Sequence, residues 1–285
     1  MTVLMVGCGD LGTEAGLRLA AQGHRVIGWR RSPEKLPAGI DPVKADLAHE
    51  LPTIPHDVDS VIIAVTPNSS TPEAYRATYV DGLNNVIDTL KRDAVTPRRI
   101  LFVSSTAVYG DADGGDVDEL TPADADSFSG NILREAEELL ARRFIGTETL
   151  TTSLRLGGIY GPGRTRLIDQ VTTGSALIPD QPRFTNRIHR DDAAAAIVHL
   201  VTMPGDPDPV YLGVDTNPAE LGDVLRFLAN ELGCDEPARG HVPATRSGSK
   251  RCSSRKLQAT GFEFTYPTFV EGYRAVLAGI GTRHP

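Results

Sequence analysis

Val3-Leu4-Met5-Val6-Gly7-Cys8-Gly9-Asp10-Leu11-Gly12 opens this 285-residue chain with an apolar run that ends on three spaced glycines. The run Thr2–Val6 reads as a parallel strand buried on both faces, since it carries no polar alternation. Thr13–Gln22 then places apolar residues at helical spacing, and Gly23 stands where a helix C-cap glycine belongs. A G-x-G-x-x-G pattern is weak alone, but between a strand and a helix it has a defined physical use. Gly7 permits the tight turn, Gly9 lets backbone approach a pyrophosphate, and Gly12 lets the helix pack close to its strand. Phosphates then rest on the amides of Gly7–Gly12, Asp10 and Leu11 included, where the helix dipole favours negative charge.

About twenty residues on, an NAD-preferring site carries an acid for the ribose hydroxyls. This chain has Trp29-Arg30-Arg31-Ser32 there. Two guanidiniums and a hydroxyl suit a 2′-phosphate, because arginine presents a planar fork of donors. The expected cofactor is NADP(H), with NAD the second choice. Asp46, after the third strand, either accepts from the adenine amino group or is a turn aspartate.

Further along, Arg25–Trp29, Val58–Thr66, Arg99–Ser104 and Thr151–Leu156 read as strands, and Pro72–Leu90 and Gly130–Phe144 as helices. Strands alternating with helices imply right-handed βαβ units. The spacing predicts an α/β protein: a Rossmann doubly wound parallel sheet over residues 1–160, with a small C-terminal substrate lobe over most of 161–285. Residues 187–203 are expected to return to the first domain. Asp191–Met203, Pro218–Gly233 and Phe269–Ala278 read as helices, Tyr211–Val214 as a short strand, Ser247–Ser254 as a basic surface loop, and Asp111–Asp126 as a mobile acidic loop over the cleft.

Composition narrows the partners. A net charge of −8 argues against nucleic acid as the main ligand. No apolar run approaches bilayer-spanning length, so no membrane partner is expected. Cys8, Cys234 and Cys252 form no CxxC pair and no metal-ligand spacing with histidine, and no metal is expected. With no secretory signal visible either, the expected compartment is the cytoplasm.

Four stretches taken together resemble the extended short-chain dehydrogenase/reductase superfamily of NAD(P)-dependent epimerases and dehydratases. They are Gly7–Gly12, Phe102-Val-Ser-Ser-Thr-Ala-Val-Tyr-Gly110, Leu154-Arg-Leu-Gly-Gly-Ile-Tyr-Gly-Pro-Gly163 and Arg187-Ile-His-Arg-Asp-Asp-Ala193. Lys250-Arg251-Cys252-Ser253 resembles an atypical subgroup. The resemblance implies a cleft between two lobes, chemistry through the nicotinamide, and Ser105 as the hydroxyl that orients the substrate. It also implies a tyrosine and a lysine four apart on the next helix, the lysine lowering the tyrosine pKa. Here Ser129 falls at the tyrosine position and Leu133 at the lysine position, and no lysine occurs between Lys91 and Lys250.

Other groups then become candidates. Tyr109 and Tyr160 lie just after strands, where open sheets build their sites; each either offers a phenol to the cleft or packs and hydrogen-bonds locally. His189 is a titrating candidate or a histidine held by Asp191 or Asp192 at a helix start. Arg164 and Arg187 suit an anionic substrate or are solvated surface charges. The candidate catalytic set is therefore Ser105, Tyr109 and His189, and the candidate substrate set Tyr160, Arg164 and Arg187. Two functions stay open: an epimerase-type or oxidoreductase enzyme on a small or sugar-like substrate, and a protein that senses NADP(H) without turnover. The helices Pro72–Leu90 and Gly130–Phe144 are a possible homodimer face.

Overall fold

The structure, a computed structural model, describes residues 1–242 and 248–285. Ser247, the first residue of the expected basic loop, lies outside them. The central sheet holds seven strands: β1 (Thr2–Val6), β2 (Arg25–Arg30), β3 (Asp41–Lys44), β4 (Val58–Ile63), β5 (Arg99–Ser105), β6 (Leu150–Leu156) and β7 (Val210–Gly213). Their spatial order is β7-β6-β5-β4-β1-β2-β3, and every pairing is parallel. This is the Rossmann arrangement, with the order reversing beside β1.

The period of two along each strand divides the core. Leu4 and Val6, Val61 and Ile63, and Ile100 and Phe102 belong to one apolar cluster; Val3 and Met5, Ile62 and Leu101 belong to the other. The second cluster is covered by α1 (Asp10–Ala21) and by the alanine-rich Arg190–Thr202 helix. The first is covered by a helical stretch over residues 72–92 and by Phe128–Phe144.

The 72–92 stretch is not the uniform α-helix that periodicity predicts. It runs Pro72–Arg76, then a π-turn at Ala77–Asp81, then Gly82–Arg92. Thr71 caps its start by accepting from the Ala74 amide, with Pro72 at the first helical position. A π-turn adds one residue to a turn and rotates the residues beyond it about the helix axis, and Tyr79 lies within it.

The chain crosses between lobes more often than expected. Arg187–His189 pairs with Gly158–Tyr160, and the helix after it packs on α1. Val210–Gly213 also returns, pairing with β6 at the sheet edge. A third apolar cluster, with Val224, Leu228, Phe269 and Tyr273, holds the smaller lobe together. It joins Arg166–Thr172, Leu221–Leu232 and Phe269–Leu277. Among the described residues, no helix is long and apolar enough to cross a membrane.

Two expected loops are corrected. The acidic stretch Asp111–Asp126 is not a flap over the cleft: Asp116–Val117 pairs with Arg251–Cys252, and the Tyr109 hydroxyl donates to the Asp118 carbonyl. Lys250, expected on a surface loop, is wholly buried, and its ammonium donates to the carbonyls of Tyr109 and Gly110. Burial lowers its pKa.

Candidate cofactor and substrate site

The glycine loop is built as its spacing demands. Gly7 has φ +87°, and a Cβ there would lie 2.6 Å from the Ala64 carbonyl oxygen; a Cβ on Gly12 would lie 2.6 Å from that of Gly7. Nothing lies within 4 Å of a Cβ on Gly9, which faces open space. Gly9 is the N-cap of α1 and brings no side-chain cap. The first-turn amides, which no intrahelical carbonyl reaches, therefore line the cavity beside Asp10, Leu11 and Gly12. Room for a phosphate next to free amides is the fit a dinucleotide needs.

Two cavities meet at this loop. One, of about 490 Å³, extends past Trp29, Arg30, Arg31, Ser32 and Asp46. Trp29 forms its inner wall and is 2% exposed. The Arg31 guanidinium is 2.8 Å from Asn68 Oδ1, and that of Arg30 is 3.1 Å from the main-chain oxygen of Pro285. Asp46 accepts the Ala48 amide in a local turn while bordering the cavity. The other cavity, of about 290 Å³, runs from Gly9 to Ser104, Ser105 and Gly157, between the ends of β5 and β6.

Asp10 lines that second cavity, but its carboxylate faces away from a ligand role. Oδ1 accepts from Arg190 Nη1 at 2.7 Å and from the His284 amide, and Oδ2 accepts from Arg164 Nε at 2.9 Å. Its contribution to a cofactor is therefore its main chain. Sequence reading passed over Arg190, which is 1% exposed and also pairs with Asp191; the two aspartates that follow it made the helix start look like a solvated charged turn.

The 290 Å³ cavity opens into a third of about 770 Å³. Tyr79, Ser105, Leu133, Gly157, Ile159 and Arg164 border both. Ser105 accepts the Ala107 amide and keeps its place at the junction. Leu133 presents an aliphatic wall there, and Ser129 lies in the larger cavity. A one-residue slip toward Gly130 has no room: any side chain at Gly130 would overlap the Ala107 carbonyl. Tyr79, missed in the sequence, arrives from the π-turn on the opposite wall. Burial raises its pKa, so it stays protonated.

The remaining candidates separate. Tyr109 does not reach the cleft: it is 2% exposed, accepts from Arg155 Nη1 at 2.7 Å, and burial pushes its phenol up to about 12. His189 is not on a cavity wall either. It caps the Arg190–Thr202 helix, Nδ1 accepting the Asp191 amide, between the rings of Tyr160 and Tyr266. Burial drives its imidazole down to about 4. Tyr160, Arg164 and Arg187 do line the 770 Å³ cavity, joined by Arg166. Among the described residues, its wall carries these three arginines and no carboxylate, in a chain of net charge −8. Arg187 is buried over the Phe269 ring, with Nη2 on Thr185 Oγ1 and Nη1 without a partner among the described residues.

This geometry defines a class, a Rossmann-fold dinucleotide-binding protein with a further cavity across the strand ends. Residues 7–204 match the family model described as NAD(P)H-binding, and the chain belongs to that family. A solved structure from Methylobacillus flagellatus, described as a candidate NAD-dependent epimerase/dehydratase, is 37% identical over 98% of both chains, with a TM-score of 0.80. Protein YeeZ of Escherichia coli K12 is 29% identical over 273 residues, 93% of this chain and 96% of the relative. The human epimerase family protein SDR39U1, solved with NADPH, shares the fold at 20% identity and a TM-score of 0.77 over 98% of this chain and 100% of its own.

Proposed function

We propose that the protein is an NADP(H)-dependent enzyme of the epimerase/dehydratase kind, acting on a small substrate that carries a negative charge. The observation that carries the reading is the shared wall: the glycine-loop cavity opens across Ser105 into a chamber that Arg166, Arg187 and the Asp10-paired Arg164 line, with no acid on it among the described residues. Such a chamber concentrates anions by focusing the field of its charges. When bound, the nicotinamide would supply the hydride chemistry. The chain's part is to hold the dinucleotide on the amides of Asp10–Gly12 beside the bare Cα of Gly9, to meet the 2′-phosphate with Arg30, Arg31 and Ser32, and to orient the substrate oxygen at Ser105. Tyr79 is the protonated phenol that borders the same two cavities from the opposite wall and would donate to that oxygen.

A second reading, a binding protein without turnover, is favoured by one feature: the resemblance places Ser129 and Leu133 at the family's tyrosine and lysine positions. Supplying NADPH with a panel of ketones, oxo acids and nucleotide sugars separates the two. Consumption abolished by Tyr79→Phe or Ser105→Ala supports the enzyme, and none above buffer for any substrate supports the binding protein.

The cofactor half is tested by titration. Wild type is expected to bind NADPH at least about tenfold tighter than NADH, because charge-assisted bonds to a phosphate contribute about 1.5–3 kcal/mol. Arg30→Ala should erase most of that ratio, and an unchanged ratio would defeat the 2′-phosphate assignment.

A further inference from the structure

The segment after the last helix turns back across the mouth of the cofactor cleft. Gly281, at φ +91°, leaves no room for a side chain against Pro162. The Thr282 carbonyl accepts from Arg190 Nη2 at 2.7 Å, and the Arg283 guanidinium donates to the Gly163 carbonyl while its stem fills the space a Cβ on Gly163 would need. The His284 amide donates to Asp10 Oδ1, its ring lies 2.8 Å from Glu14, and the Pro285 main-chain oxygen accepts from Arg30. One short segment thus touches the turn of the substrate lobe, the first turn of α1 and the end of β2.

Its anchors are of one kind. None of residues 281–285 belongs to an apolar cluster, and Ile280 before them is 55% exposed. The segment is held by hydrogen bonds at a solvent-facing seam, which is how locally unfolding segments are built. Two anchors are groups of the cofactor cleft: Asp10 lines the glycine-loop cavity and Arg30 the neighbouring one.

We infer that Arg283–Pro285 is a latch on the cofactor cleft, and that a dinucleotide carrying a 2′-phosphate opens it by taking Arg30 from Pro285. The inference rests on the reading of Arg30 as the 2′-phosphate partner. A doubly charged phosphate is a stronger acceptor for a guanidinium than one main-chain oxygen. Without that phosphate nothing competes for Arg30, and the latch stays shut over a bound NAD(H). The segment therefore narrows the preference for NADPH over NADH by lowering the fraction of chains whose Arg30 is free, and the apparent NADPH affinity alone falls by that same fraction.

Hydrogen exchange of the intact chain reads the latch directly. The His284 amide is expected to be protected without ligand and with saturating NADH, and to lose protection with saturating NADPH. In parallel, a variant lacking residues 283–285 should bind NADPH about threefold or more tighter, as removal of the competing closed state requires, and NADH with little change. Unchanged or increased His284 protection under NADPH overturns the latch, as does a truncation that weakens NADPH binding or tightens both cofactors alike. Should the truncated variant fail to fold, the exchange measurement decides alone. If neither chain binds NADPH, the cofactor reading itself fails and takes the latch with it; that result differs from tight NADPH binding beneath a tail that stays protected.

Discussion

Two buried polar clusters flank the ends of β5 and β6, and they are built on opposite principles. Behind the sheet, Ser104 donates to Glu137, Arg155 makes three bonds to Glu137 and one to the Tyr109 hydroxyl, and that hydroxyl reaches the Asp118 carbonyl. Arg155 and Glu137 are each 8% exposed, and none of these side chains is left with an unpaired buried polar atom. Under the smaller lobe, Tyr160 Oη, His189 Nε2, Arg187 Nη1 and Asp215 Oδ2 are equally buried and have no partner among the described residues. Burial pushes Asp215 up to about 7. A satisfied network of this kind rigidifies a scaffold, whereas buried polar atoms without partners mark a place completed by water or ligand. Tyr109 and Tyr160 looked alike in the sequence, and they fall one into each cluster.

The contrast can be broken in three ways, taken from the largest effect down. Glu137→Leu leaves Arg155 charged and unpaired in the interior, so urea unfolding should register a loss of about 3–5 kcal/mol. A loss below about 1 kcal/mol would show that the first cluster is not a scaffold.

His189→Asn keeps a helix cap but removes the imidazole. In the wild type the folded imidazole protonates near 4 and the unfolded one near 6.5. Its depressed pKa therefore contributes stability that is complete above 6.5 and is lost as pH falls toward 4, up to about 3 kcal/mol. His189→Asn should lose less stability than wild type between those two values, and parallel curves would contradict the buried neutral imidazole.

Arg187→Met should cost little stability, within about 1 kcal/mol, because it removes a buried charge that has no ion-pair partner and an unpaired Nη1 among the described residues. The same change should abolish any rise in melting temperature that inorganic phosphate or malonate produces in the wild type. A large stability loss with the anion effect retained would move Arg187 from site to scaffold.

Much of the first lobe was legible because its signals are local. Short apolar runs specify buried strands, and a helix start next to spaced glycines specifies a phosphate cradle, whatever the rest of the chain does. Arg30, Arg31 and Ser32 were found by counting along the chain to the end of β2. The cradle's neighbours were not legible. Tyr79 reaches the site only because the helical stretch 72–92 carries a π-turn, and nothing in its periodicity announces one. Lys250 was read as a surface charge, since lysine in a polar stretch usually is; pairing of Arg251–Cys252 with Asp116–Val117 carried it inside.

By itself, the sequence determined the parallel sheet, the dinucleotide loop and the arginines beyond the second strand, all of which depend on residues within one turn or one strand of each other. Only the tertiary structure decided which tyrosine borders the 770 Å³ cavity, which arginine pairs with Asp10, and that residues 281–285 lie over the glycine-loop cavity. Those outcomes depend on contacts between residues far apart in the chain, such as Arg190 with Asp10 at a separation of 180 and Arg30 with Pro285 at 255. No local propensity encodes them; they come from how the two lobes close on each other.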